Sequence, residues 1–319
     1  MPPSSPPATD SRPRTIVVTG SSGLIGSALC RRLEEHGDRV VRLVRTREAA
    51  EDEHALYWNV ADGEIDREGL EEAAPDAVIH LAGESVYALR WTRAKKRRIL
   101  ESRSVGTTLL SETLAGLDRK PVVLLSASAG GIYGDHGDRP VTEESTLGEG
   151  FLAEVCRAWE AATNPAEEAG IRTVHMRTGV VLAQSGILLK RIVPLYRMGL
   201  GGPLGMGNRY IPWVAIDDVV SAMLHLLDSQ LEGPVNLAAP GFVTGRAFGK
   251  ALGRVLRRPS IIPAPAPLLS LLGGEMAREI ALTSIRLSPQ RLLEDNFAFT
   301  YPELEQALTH ILDEAAGSA

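Results

Sequence analysis

The chain has 319 residues, 44% of them hydrophobic and 23% charged, which is the balance of an ordinary globular protein with room for one large or two modest domains. Its formal net charge of −6 argues against a general affinity for nucleic acid or an anionic membrane, and no apolar run approaches the ~18 residues a membrane helix needs. Two cysteines, Cys30 and Cys156, cannot build a disulfide framework, so a reducing, cytoplasmic setting is expected.

Residues 1–13 are rich in Pro and Ser and lack an apolar core, so they read as a disordered extension and not as a secretory signal. The apolar run 15–18 then predicts a strand, followed at once by Thr19-Gly20-Ser21-Ser22-Gly23-Leu24-Ile25-Gly26. Beyond it, Leu24, Ile25, Ala28, Leu29 and Leu33 recur at helical spacing, so one helix face packs inward. A strand, a glycine turn and a helix in this order form the pyrophosphate cradle of a dinucleotide site. Gly20 allows the tight turn, Gly23 lets backbone approach phosphate, and Gly26 lets helix and strand pack closely. The unpaired N–H groups of the helix start attract the anion, which makes Gly20, Ser22, Gly23, Leu24, Ile25 and Gly26 the expected contacts.

Further apolar runs at 40–44, 77–81, 122–126 and 173–176 read as buried parallel strands, with helical periodicity near 91–114 and across 151–169. Such alternation predicts an α/β fold, a Rossmann-type doubly wound parallel sheet, over residues 14–182. After about Leu182 the pattern loosens. Residues 199–207 are dense in glycine, 263–267 form a proline-rich connector, and helices are expected at 217–228, 245–256, 267–287 and 302–312. Residues 183–319 therefore read as a smaller, discontinuous C-terminal α+β lobe, with segments returning to the first domain. It should close over the strand ends where ligands of open α/β sheets bind.

The glycine pattern resembles the short-chain dehydrogenase/reductase superfamily, in its extended, nucleotide-sugar-epimerase-like branch. His80-Leu-Ala-Gly83, Ser126-Ala-Ser-Ala-Gly-Gly-Ile-Tyr-Gly134, Arg177-Thr-Gly-Val-Val-Leu182, Gly201-Gly-Pro-Leu-Gly205 and Trp213-Val-Ala-Ile-Asp-Asp218 narrow the match. In this order they are similar to the atypical YfcH-type "epimerase family" proteins, which carry a small C-terminal domain of unknown function. The resemblance implies NADP(H) on a Rossmann fold, with Leu81, Ala82, Gly83 and Ser126 beside the cofactor, and a homodimer formed by helices flanking the site.

The run at 40–44 ends in Arg45, with Arg47 close by, where NAD-selective sheets place an acid for the ribose hydroxyls. A guanidinium there suits a 2′-phosphate, so NADP is the expected cofactor; a solvated surface arginine is the plain alternative. Trp58 and Asn59 either flank the adenine or pack locally. Active members of the superfamily use Ser or Thr together with a Tyr and a Lys four apart on one helix face, the Lys lowering the tyrosine pKa. Here the corresponding run is Phe151-Leu-Ala-Glu-Val-Cys-Arg-Ala-Trp-Glu160, whose four-apart pairs include Leu152/Cys156 and never Tyr/Lys.

The standard acid–base pair is absent. Ser128, for a substrate hydrogen bond, and Tyr133, as a functional hydroxyl, are the catalytic candidates that remain, with backbone capping and packing as their plain roles. Arg103 either meets a phosphate or carboxylate or is merely solvated, and Cys156 reads as core. The basic run 90–98 reads as a solvated helix face, and Asp217 and Asp218 as the cap and first-turn acids of a helix. Residues 201–207 would wrap a substrate phosphate or simply turn the chain. No metal-ligand spacing occurs. Two functions follow: an NADP-dependent oxidoreductase or epimerase acting on a small polar, nucleotide-linked or similar molecule, and a non-catalytic NADP(H)-binding sensor.

Overall fold

Ile16, Val17 and Val18 are fully buried, as befits a central parallel strand covered by helices on both faces. They lie in β1 (Thr15–Thr19) of a computed structural model that describes residues 13–87, 91–262, 279 and 283–317. The chain continues through α1 (Leu24–Glu35), β2 (Arg39–Val44), β3 (Ala55–Asn59), β4 (Glu64–Ile65) and α2 (Arg67–Ala73). Next come β5 (Ala77–His80), α3 (Arg93–Ala115), β6 (Val123–Ala129), β7 (Pro140–Val141), α4 (Phe151–Ala161), α5 (Asn164–Glu168) and β8 (Arg172–Thr178). The remainder holds β9 (Val180–Leu182), α6 (Ile187–Arg197), β10 (Tyr210–Ile211), β11 (Trp213–Ala215), α7 (Ile216–Asp228) and β12 (Gly233–Leu237). Last are β13 (Val243–Thr244), α8 (Gly245–Val255), β14 (Arg286–Leu287), α9 (Gln290–Glu294) and α10 (Leu304–Gly317).

Eight strands make one sheet in the order β12-β8-β6-β5-β1-β2-β3-β4, parallel throughout except for β4 against β3. Alternation along β1 divides the core. Ile16 and Val18 pack with Leu29 and Leu33 of α1 and Val219 and Met223 of α7, whereas Val17 packs with Leu70 of α2 and Leu110 and Leu114 of α3. The order reverses between β1 and β5, so a crevice opens at their C-terminal ends. The Gly20–Gly26 turn and Leu81–Gly83 both border it. This is the doubly wound Rossmann architecture that the strand and helix periods predict.

A second cluster joins α6, α8 and α10 around Tyr196, Trp213, Phe248 and Leu308. The lobe it forms is interrupted, because α7 and β12 return to the large sheet, and β14 pairs with β7 across a long stretch of sequence. Two expectations are corrected. The helix expected over 151–169 is two helices, since Ala162 and Thr163 leave the helix and Pro165 opens the next one. Of the helix expected over 267–287, residues 267–278 and 280–282 lie outside the described residues, and Arg286–Leu287 is strand. Leu287 pairs with Val141 and is buried there, a tertiary contact that overrides the local pattern. Residues 1–12 of the expected disordered extension also lie outside the described residues.

Candidate functional site

Three glycines shape the cradle. Gly20 has φ +68°, and a Cβ on it would stand 2.9 Å from the Ala82 nitrogen. A Cβ on Gly26 would collide with the Gly20 carbonyl, and one on Gly23 would sit 3.2 Å from that same oxygen. The Gly23 nitrogen donates to the Gly20 carbonyl at 3.0 Å, which closes the turn. α1 begins at Leu24 without a side-chain cap and without an acid in its first turn. Its first N–H groups therefore have no intrahelical partner and face the crevice with a partial positive charge. This fits a pyrophosphate, and Ser22, Gly23, Leu24 and Ile25 lie in the turn and first residues of α1.

The opposite wall is held by a latch that sequence reasoning missed. Thr19 Oγ1 accepts from the Leu81 and Ala82 nitrogens, each at 3.1 Å, so its single proton goes to His80 Nδ1 at 2.7 Å. His80 must then carry its own proton on Nε2, which donates to Thr107 Oγ1 of α3 at 2.8 Å. The imidazole is fully buried, and burial first, then the Arg103 charge, pushes its pKa down to about 3. A neutral His80 thus ties β1, β5 and α3 together and sets Leu81, Ala82 and Gly83 beside Gly20. Trp58 belongs to the same packing, edge-on to His80 and 2% exposed, so its role is in the core.

At the end of β2, Arg45 is exposed and makes no ion pair among the described residues. Arg47 is otherwise engaged: Nη2 meets Glu64 at 2.6 Å and the guanidinium lies over the Tyr57 ring at 4.4 Å. Asn59 bonds Asp62 at 2.6 Å and the Tyr57 hydroxyl at 3.1 Å. Of the two arginines, Arg45 is the free one.

Beyond β6 lies a buried polar network. Ser128 Oγ donates to Glu160 Oε1 at 2.7 Å. Arg177 closes a two-pronged bridge on Glu160, Nε to Oε1 at 2.9 Å and Nη2 to Oε2 at 2.8 Å. Its Nη1 donates to the Tyr133 oxygen at 2.9 Å, and the Tyr133 hydroxyl donates to Asn236 Oδ1 at 2.8 Å. The Asn236 nitrogen in turn donates to Glu143 Oε1 at 2.9 Å. Tyr133 is fully buried, and burial raises its pKa. The two candidate hydroxyls are thus brought together through Glu160 and Arg177, each with its proton already engaged. Glu143, Glu160 and Asn236 went unassigned from sequence because their pairing spans distant segments. The presence of Arg177 in a matched motif was the available signal. Ser126 is 1% exposed, and its Oγ has no partner among the described residues.

α4 bears Leu152 against Gly131 and Cys156 in the core, with the Glu279 carboxylate accepting from the Leu152 nitrogen at 3.2 Å. Burial pushes the Cys156 thiol up to about 11, so it is no thiolate near neutrality. Arg103 of α3 donates through Nη1 to the Glu84 and Ile99 carbonyls at 2.9 and 3.1 Å. Its guanidinium lies over the Trp159 ring at 4.7 Å. Other features resolve plainly. Gly201 and Gly202 pack against Tyr196 and Ile262, so this stretch is a tight turn. Asp217 and Asp218 are the first-turn acids of α7, as expected, but neither is the cap: Ala215 holds that position, and Asp218 is buried and accepts from the Thr300 and Tyr301 nitrogens at 2.7 and 3.0 Å. In the basic run, Lys95 and Arg98 pair with Glu84, and Arg97 with Glu101.

Residues 16–238 match the model of the NAD dependent epimerase/dehydratase family, and residues 264–311 match a domain of unknown function, DUF1731. The epimerase family protein Mb2239 of Mycobacterium bovis is 40% identical over 294 residues, covering 92% of this chain and 96% of that one. The epimerase family protein YfhF of Bacillus subtilis is 34% identical over 301 residues, with 93% and 97% covered. Among solved structures, the human epimerase family protein SDR39U1 (isoform 2) with NADPH superposes with a TM-score of 0.84 at 27% identity, covering 94% of this chain and 99% of that one.

Proposed function

Because this chain belongs to the NAD dependent epimerase/dehydratase family, we propose that it binds NADP(H) and works as an oxidoreductase or epimerase on a small polar substrate, nucleotide-linked molecules included. The observation that carries the cofactor assignment is the pairing of the uncapped α1 start and its glycine turn with an exposed Arg45 at the end of β2 that has no ion-pair partner among the described residues. The human relative was crystallised with NADPH, which agrees with this choice. When bound, the nicotinamide supplies hydride chemistry. The chain's own residues do the rest: Gly20, Gly23, Leu24 and Ile25 receive the pyrophosphate, Arg45 the 2′-phosphate, and the Thr19–His80–Thr107 latch fixes the facing wall.

In this reading Ser128 and Tyr133 act by holding the end of β6 against β8 and α4. A substrate that displaces the Glu160 bond recruits Ser128 directly. A second reading, a dinucleotide-binding protein without turnover, draws support from Leu152 and Cys156, neither of which transfers a proton near neutrality. The deciding experiment incubates the protein and NADPH with a panel of carbonyl compounds and sugar nucleotides, following absorbance loss and product mass. Turnover that falls in Ser128→Ala supports the enzyme. Tight NADPH binding without turnover across the panel favours the second reading.

A further inference from the structure

The four-apart pairs at the start of α4 are Phe151/Val155, Leu152/Cys156 and Ala153/Arg157, none of them Tyr/Lys, and Arg157 is engaged on the Gly148 carbonyl at 2.6 Å. The neighbouring helix brings a second guanidinium. Arg103 reaches across from α3, its guanidinium stacked over Trp159 of α4 at 4.7 Å and near enough to Cys156 for its charge to act on the thiol. On its other side lies Gly83, on the loop the His80 latch presses towards the cradle. A Cβ on Gly83 would stand 3.1 Å from Arg103 Cζ and 3.2 Å from Nη2, so only a glycine leaves that side of the guanidinium open.

The donor count matters as well. Arg103 uses Nη1 on two backbone carbonyls, while Nε and Nη2 have no acceptor among the described residues. It makes no ion pair with a carboxylate among those residues either, although the nearby Glu84 pairs with Lys95 and Arg98. Arg103 is partly buried, and a guanidinium drawn partly out of water gains from an anion that meets it. Two parallel N–H groups left free match the two oxygens of a phosphate or carboxylate.

We propose that Arg103 is the oxyanion receptor of this cleft, taking a phosphate or carboxylate group at Gly83 and presenting to it, from α3, a guanidinium whose Nε–Nη2 edge has no acceptor among the described residues. The oxyanion comes from one of two sources, the pyrophosphate of the dinucleotide or a carboxylate of the substrate. The proposal rests on the dinucleotide reading given above.

The test compares wild type with Arg103→Gln, Arg103→Lys and Gly83→Ala, each first shown to be folded by thermal unfolding. NADPH affinity is read from the fluorescence of the nicotinamide, and the NADPH-saturated protein is then titrated with malonate as a carboxylate probe. If the pyrophosphate is the anion, Arg103→Gln weakens NADPH about tenfold or more, Arg103→Lys recovers part of the loss, and Gly83→Ala weakens it too. If the substrate supplies the anion, NADPH affinity is unchanged and a malonate response of the wild type disappears in Arg103→Gln and Gly83→Ala. Wild-type behaviour of Arg103→Gln towards both ligands overturns the proposal and leaves the cofactor reading standing. A wild type that binds no NADPH overturns both. Should Arg103→Gln not fold, Gly83→Ala decides, because it keeps the guanidinium and closes only the approach to it.

Discussion

Acid should loosen this protein through one imidazole, and the size of the effect can be worked from the latch. His80 is neutral when folded, with a pKa of about 3 against 6.5 when free. The unfolded chain therefore takes up a proton as pH falls below 6.5, while the folded chain resists doing so. The contribution is fully present above 6.5 and is lost progressively down towards pH 3. Between pH 7 and pH 5 the linked loss is about 2 kcal/mol, from ~1.4 kcal/mol per pH unit over the interval in which only the unfolded state protonates.

The assay is urea unfolding of wild type and His80→Gln at a series of pH values. His80→Gln should be less stable at pH 7, because Thr19 or Thr107 loses a buried partner, at a cost of about 1–3 kcal/mol. Its stability should fall less steeply on acidification, so that the two curves approach by about 2 kcal/mol at pH 5. The other shifted groups, such as Asp38 held low by Arg14 and Glu143 raised by burial, are common to both proteins and cancel in the difference. Parallel pH profiles for the two proteins would refute a neutral, buried latch.

Three further outcomes follow from contacts already described. Gly26→Ala places a methyl on the Gly20 carbonyl, so titration calorimetry should show NADPH affinity reduced at least tenfold, with a lowered melting temperature. Glu160→Gln leaves Arg177 buried without its carboxylate and should cost about 3–5 kcal/mol in chemical unfolding, whereas breaking the exposed Arg254–Glu305 pair should leave the unfolding curve nearly unchanged. Cys156, buried with its pKa at about 11, should resist iodoacetamide at neutral pH in the folded protein and react in urea, as followed by mass spectrometry.

The architecture was legible because its signals are local. A strand's apolar run, a glycine turn and the 3.6-residue repeat of α1 lie within a few turns of each other, so the turn at Gly20–Gly26 is readable from the sequence. The place of Arg45 is readable for the same reason, since it directly follows the apolar run of β2. The network behind β6 was not, because Ser128, Tyr133, Glu143, Glu160, Arg177 and Asn236 come from six segments and only the sheet order brings them together. Tyr133 looked available because it follows a serine-rich strand end, and only burial beneath Arg177 shows where its proton goes. The strand at Arg286–Leu287 was hidden likewise, since its partner, Pro140–Val141, is distant in the chain. His80 had a motif but no evident role, because its tautomer is fixed by Thr19, whose own bonds come from the following strand's loop.

The claim on which the rest depends is that the crevice beside Gly20 holds NADP(H) with Arg45 on the 2′-phosphate. Calorimetric titration of wild type and Arg45→Ala with NADPH and NADH tests it most directly. The account predicts that the wild type prefers NADPH, and that Arg45→Ala weakens NADPH about tenfold or more while NADH changes by less than about threefold. Equal losses for the two dinucleotides, or a wild type that binds NADH as tightly as NADPH, would contradict it.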